Sequence, residues 1–156
     1  MSGDAEVHPR RNTLAFIGVL ATLGALLTAC GSQSIAGTYV ARSSSKAAFL
    51  SLTENGAALS GTMDITQLPT GSSKVYTGIG EVTGTYANGR VTLTVTTNNE
   101  TLSLSGTVQN GNLVFPAQEP NGTVGYTAYV RDSATTYNAA VDLLDERANA
   151  NAATPP

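Results

Sequence analysis

Arg90-Val91-Thr92-Leu93-Thr94-Val95-Thr96 is the stretch on which the fold turns. Valine and leucine alternate with threonine, so the side chains separate with a period of two, apolar on one face and hydroxyl-bearing on the other. Five of its seven residues are β-branched, which suits a pleated, half-buried surface. The segment is predicted to be a strand with one face in a core and one in water. Thr101-Leu102-Ser103-Leu104-Ser105 repeats the pattern.

Turn signals surround these segments: Asn55-Gly56, Asn88-Gly89, Asn98-Asn99, Asn110-Gly111 and Asn121-Gly122. Asn-Gly favours a tight hairpin because a type I′ turn needs positive φ at both central residues. Between residues 35 and 131 the alternation predicts eight strands, at about 35–42, 47–54, 57–66, 75–87, 90–97, 100–109, 112–116 and 123–131. The break at Leu68-Pro69-Thr70-Gly71-Ser72-Ser73 is the one long loop. With no helix between them, successive strands should pair as an up-and-down antiparallel meander. Closing such a sheet buries its apolar face and removes both edges. The fold class is therefore all-β, a small barrel of about eight strands, round or flattened, with a β-sandwich as the alternative.

A short repeat runs through the strands. Leu59-Ser60-Gly61-Thr62-Met63, Val82-Thr83-Gly84-Thr85-Tyr86 and Leu104-Ser105-Gly106-Thr107-Val108 share one pattern, and Ile35-Ala36-Gly37-Thr38-Tyr39 is a looser copy. Their spacing of 22 to 24 residues fits one hairpin per repeat and is too short for a propeller blade.

Beyond Arg131 the periodicity changes. Asp132-Ser133 can cap a helix, and Tyr137, Val141, Leu144 and Ala148 recur at helical spacing. The region 132–148 is predicted as a C-terminal amphipathic helix packed on the barrel, and 149–156 as a disordered tail.

The N-terminus has its own logic. His8, Arg10 and Arg11 precede an apolar run from Leu14 to Leu27, 14 residues long. That suits a signal-peptide core and falls short of the roughly 20 residues of a spanning helix. The run ends in Leu27-Thr28-Ala29-Cys30-Gly31, which resembles the lipobox of bacterial lipoproteins. The resemblance implies removal of residues 1–29, a diacylglycerol on the Cys30 thiol and acylation of the new amino terminus. The only cofactor is then that covalent lipid, and the first partner is a membrane, the cell membrane or the outer membrane, with the chain facing the periplasm or the exterior. Residues 30–34 form a tether, followed by the barrel domain at 35–131. Four or five extended residues reach about 15 Å, which keeps the domain close to the bilayer.

Composition excludes several function classes. After Cys30 there are nine acids and six bases, a net charge of -3. No Lys/Arg stripe exists to displace counterions from nucleic acid. The only His is His8 and the only Cys is Cys30, so the mature chain can build neither Ser-His-Asp nor Cys-His catalysis. No metal site is expected. Ser43-Ser44-Ser45-Lys46 has the spacing of penicillin-interacting enzymes, but its Ser-rich setting is a turn and not a helix. Gly78-Ile79-Gly80 with Gly84 lies within a strand, unlike a dinucleotide loop. Asp64, Glu81, Glu100 and Glu119 are the acids available for a carboxylate pair; Asp64 and Glu81 fall on the hydroxyl face.

Ile35-Ala36-Gly37-Thr38-Tyr39, Phe49-Leu50-Ser51-Leu52, Asn55-Gly56 and Leu59-Ser60-Gly61-Thr62 resemble the opening strands of calycin barrels, the lipocalin and avidin superfamily. The chain has no Trp, on which both families rely, and Tyr39 stands in place of the first one. Biotin binding is therefore not expected. Tyr39, Tyr86 and Tyr126 fall on the apolar side of their strands and Tyr129 on the other. Tyr39, Tyr86 and Tyr126, with Phe49, Leu93 and Phe115, are the candidate lining of a ligand pocket. No catalytic residue is expected. The sequence points to a non-enzymatic module for a small apolar or lipidic ligand or an envelope protein. The alternatives are a structural interaction module without a pocket and a carbohydrate hydrolase.

Overall fold

Among the described residues, eight strands follow in sequence order: β1 (Gly37–Arg42), β2 (Lys46–Asn55), β3 (Ala58–Gln67), β4 (Tyr76–Ala87), β5 (Arg90–Thr96), β6 (Thr101–Gln109), β7 (Asn112–Gln118) and β8 (Val124–Arg131). Each pairs antiparallel with the next and β8 returns to β1, so the meander closes into a barrel. Helix α1 (Ala134–Ala153) follows. The computed structural model describes residues 34–98, 100–118 and 122–153. The expected signal peptide, Cys30 and Glu119 lie outside the described residues.

The segment that opened the sequence reading behaves as its alternation demands. Val91, Leu93 and Val95 of β5 are buried in the barrel, while Thr92 and Thr96 are exposed. Tyr39, Leu50, Met63, Val82 and Leu113 join them in one core. Outward positions of β3 to β6 carry mainly Ser, Thr and acids.

Two turns are type I′ in pattern, with positive φ at Asn88 and Gly89 and at Asn110 and Gly111. The β2–β3 turn differs from expectation. Its two central residues are Gly56 and Ala57, between the paired Asn55 and Ala58, and only Gly56 has positive φ. That is the signature of type II′, which places glycine first.

The Gly-Thr repeat has a packing cause. A Cβ on Gly61 would fall 1.8 Å from the carbonyl oxygen of Ser51, and one on Gly84 would fall 2.1 Å from that of Thr92. Gly106 stands in the same relation to Val114. These strands bend inward so sharply that neighbouring backbone occupies the Cβ position. The copies sit in β1, β3, β4 and β6, so the repeat does not mark one hairpin each. Gly61 and Gly84 lie in adjacent strands, and the loop after Leu68 makes up the spacing.

Helix α1 starts at the foot of the barrel, the end that holds residue 34 and the three two-residue turns. The Asp132 carboxylate accepts from the Ser133 amide at 2.8 Å and the Thr136 hydroxyl at 2.7 Å. Tyr137, Ala140, Leu144 and Ala148 are buried against Val40, Ala47 and Leu68, with Phe49 and Val141 beside them. The Tyr137 ring lies 5.8 Å from that of Phe49, and its hydroxyl meets Thr66, a buried polar residue, at 2.8 Å. The helix thus covers the outer face of β1 and β2. It runs to Ala153, past the expected end at 148, because the Asn151 amide donates to the Ser72 carbonyl and ties the last turn to the long loop. Residues 149–153 of the expected disordered tail are helical. Among the described residues, no helix is long and apolar enough to cross a membrane.

Candidate functional site: a cleft where the first and last strands part

The closure of the barrel is uneven. The β1–β8 ladder comprises two pairs, Tyr39 with Arg131 and Val40 with Val130. Just below, the Asp132 amide donates to the Thr38 carbonyl and the Thr38 hydroxyl donates to the Asp132 carbonyl. Above Val40 the strands separate, and the space between them is a cavity of about 340 Å³. Ala41, Ala48 and Tyr129 line it from the inward side, and Arg42, Ser43 and Lys46 line it at the rim. Ala41 and Ala48 are cross-strand partners, so two methyl groups face each other where larger residues would fill the barrel.

The lining carries two cations, Arg42 and Lys46, and no carboxylate. Asp132 shares a smaller cavity of about 190 Å³ with Arg42. The Thr136 hydroxyl, the Ser133 amide and then the Arg42 charge hold its carboxyl below the usual aspartate value. Asp132 is therefore fully ionised at neutral pH, and Lys46 is left to face the larger cavity. The rim turn is ordered by Ser43, whose hydroxyl accepts from the Ser45 and Lys46 amides. That accounts for the Ser-x-x-Lys spacing as a turn motif.

The foot of the barrel is solid by contrast. Tyr39 is fully buried and its hydroxyl donates to the Ile35 carbonyl at 2.7 Å. The Arg131 guanidinium lies over its ring and donates to the Ser34 carbonyl. Burial pushes the Tyr39 phenol up, against the pull of Arg131. At the opposite, open end, a Cβ on Gly78 would touch nothing within 4 Å, and Leu102 at an inward position is half exposed. The barrel is a cup, packed below and open above.

Of the six residues expected to line a pocket, four share the barrel core and two point outward. Leu93, Tyr86 and Phe115 are core residues, and Tyr39 is sealed in the foot with its hydroxyl engaged. Phe49 points outward under α1, because Ala48, Leu50 and Leu52 hold the inward positions of β2. Tyr126 is outward and 74% exposed, touching the cavity only at its edge, whereas Tyr129 is the buried one. The reading of β8 was inverted because its outward set, Val124, Tyr126, Ala128 and Val130, is more apolar than its inward set, Gly125, Thr127, Tyr129 and Arg131. Ala41 and Ala48 of the cleft carry one sequence signal, small side chains where neighbouring strands carry Leu and Val.

No protein-family model matches the chain, and no curated protein or solved structure matches it.

Asp64 and Glu81 sit at outward positions of β3 and β4, on the wall and away from the cleft. Among the described residues, no group of three His, Cys, Asp or Glu lies together. What the cleft offers chemically is an apolar recess beneath a cationic rim.

Proposed function

We propose that the chain is a lipid-anchored, extracytoplasmic binding module, without catalysis, for a small apolar molecule with an anionic end. The cleft between β1 and β8 carries this reading. Its volume lies at the lower end of the range of small-molecule sites, and its walls combine alanine and tyrosine with a few convergent polar groups. An apolar tail would enter beside Ala41 and Ala48, and the anionic end would meet Lys46 and Arg42 at the rim. The lipobox-like Leu27-Thr28-Ala29-Cys30 supports attachment through acyl chains on Cys30, facing the periplasm or the exterior.

Native mass spectrometry of the full chain, extracted from its host, tests the reading. A bound small molecule is expected, and it should be lost on Ala48→Phe, which fills the recess. With anilinonaphthalene sulfonate as an anionic apolar probe, Lys46→Glu together with Arg42→Glu should weaken binding about tenfold. An empty extracted protein whose probe binding ignores Ala48→Phe would overturn the proposal.

A further inference from the structure

Two of the barrel's outer faces are accounted for, and one is not. The outer face of β1 and β2 is covered by α1, and that of β3 to β6 is dominated by hydroxyls and acids. The outer face of β7 and β8 is largely apolar and bare, with Asn112 and Gln118 at its two ends. Pro116 lies opposite Tyr126, Val114 opposite Ala128, and Val124 and Val130 complete a stripe along β8. Val124 is 66% exposed and Val130 46%. No charged side chain stands among these outward positions, and at the foot Ala128 and Val130 border the smaller cavity that holds Arg42 and Asp132.

The hairpin that carries this face is also loosely held. A two-residue turn makes Gln109 and Asn112 a hydrogen-bonded pair, so by alternation Val114 and Pro116 also face β6. Proline has no N–H to give, and the β6–β7 ladder ends at Val114 after three pairs. On the other side the β8–β1 ladder holds two pairs, both at the foot. The upper hairpin is a two-stranded ribbon whose outer surface meets water with Tyr, Val and Pro.

Where the chain enters the barrel decides what that surface meets. The Ser34 carbonyl accepts from Arg131, the last residue of β8 and the neighbour of Val130. Only four residue steps separate Ser34 from Cys30, at most about 15 Å of chain. The apolar stripe from Val130 to Val124 covers six residue steps, about 20 Å of strand, and begins at that point. We infer that the outer face of β7–β8 lies against the phospholipid bilayer, with Tyr126 at headgroup depth and Val124, Val130 and Pro116 in the interface. This rests on the lipid anchor at Cys30 proposed above. The barrel would then lie on its side, with the β1–β8 cleft at the membrane surface, where an amphiphile can pass between bilayer and cup without crossing water. An exposed patch of this kind marks an interaction surface, and tyrosine suits an interface where one end of the ring is wet.

The chain has no Trp, so a single one is a clean reporter. The lipidated full-length protein carrying Tyr126→Trp would be reconstituted into vesicles of phosphatidylethanolamine and phosphatidylglycerol with acyl-chain-brominated lipid. Ile79→Trp, at an exposed position on the outer face of β4, serves as the control. Quenching is expected to be several-fold stronger for Tyr126→Trp than for Ile79→Trp. Equal quenching in protein that still floats with the vesicles would overturn the bilayer contact and leave the anchor standing. Protein without lipid mass that fails to float would overturn the anchor reading, and this inference with it. Concentration-dependent crosslinking through Val124→Cys, with Tyr126→Trp shielded from bromolipid, would assign the face to a second copy and also overturn it.

Discussion

The guanidinium carbon of Arg131 lies 5.3 Å from the centre of the Tyr39 ring, and these two residues form one of the two backbone pairs that close β8 onto β1. The contact joins the first strand to the last across 92 residues of sequence, and Arg131 also holds the Ser34 carbonyl. A planar cation over an aromatic face, with one donor engaged by the Ser34 carbonyl, covers the buried Tyr39 ring at the foot.

Arg131→Ala is therefore expected to cost about 1–2 kcal/mol of stability, from the lost cation–π contact and hydrogen bond. Urea denaturation checks this. A double-mutant cycle with Tyr39→Leu should show positive coupling, and strict additivity would mean the stacking contributes nothing.

Tyr129 should make the fold sensitive to alkali. Its ring meets Phe115 edge-on at 5.7 Å, and burial pushes its phenol above the usual tyrosine value. A raised folded-state value means that the contribution is complete below the ordinary tyrosine range and is lost as pH rises through the folded value. Of the six tyrosines, those at 39 and 129 should therefore ionise only as the barrel opens, seen by phenolate absorbance alongside circular dichroism. Tyr129→Phe should extend the stable range upward in pH.

Asp132 should act at the other end of the scale. Its carboxyl is held low by Thr136 and Ser133, so its support of the helix start is complete above the ordinary aspartate value and fades as pH falls through the lowered one. Asp132→Ala is expected to lower the melting temperature at neutral pH, with the difference from the parent shrinking in acid. A gap that stays constant down to pH 2 would show that charge plays no part.

Two glycines of similar sequence context should respond in opposite ways. Gly61→Ala drives a methyl into the Ser51 carbonyl and is expected to cost at least about 3 kcal/mol, the upper range for overpacking. Gly78→Ala enters open space and should be near neutral or slightly stabilising through the unfolded chain. Thermal melts of the two variants side by side decide this.

Tyr137→Phe removes the partner that Thr66 meets at 2.8 Å and leaves only the longer contact to Thr77. A cost of about 1 kcal/mol is expected for the weakened buried hydroxyl. Hydrogen exchange should rise along α1 more than along β5.

Much of this was legible in the order of residues. The alternation at Val91, Leu93 and Val95 fixed a strand and its buried side, and Asn-Gly pairs placed the hairpins, because both signals depend on neighbours in the chain. Phe49 and Tyr126 were misplaced for the reverse reason. An apolar residue on a strand reads as inward only if nothing apolar waits outside, and α1 lies outside Phe49.

The sequence by itself determined the class of fold, the succession of strands, the helix and the lipobox-like motif, since period, turn chemistry and short motifs are local. Only the tertiary structure decided where the barrel opens. Pairing Ala41 with Ala48, ending the β6–β7 ladder at Val114 and closing β8 on β1 through two pairs are relations between distant segments. Cavities and bare faces come from what long-range packing leaves unfilled, and no window along the chain contains that information.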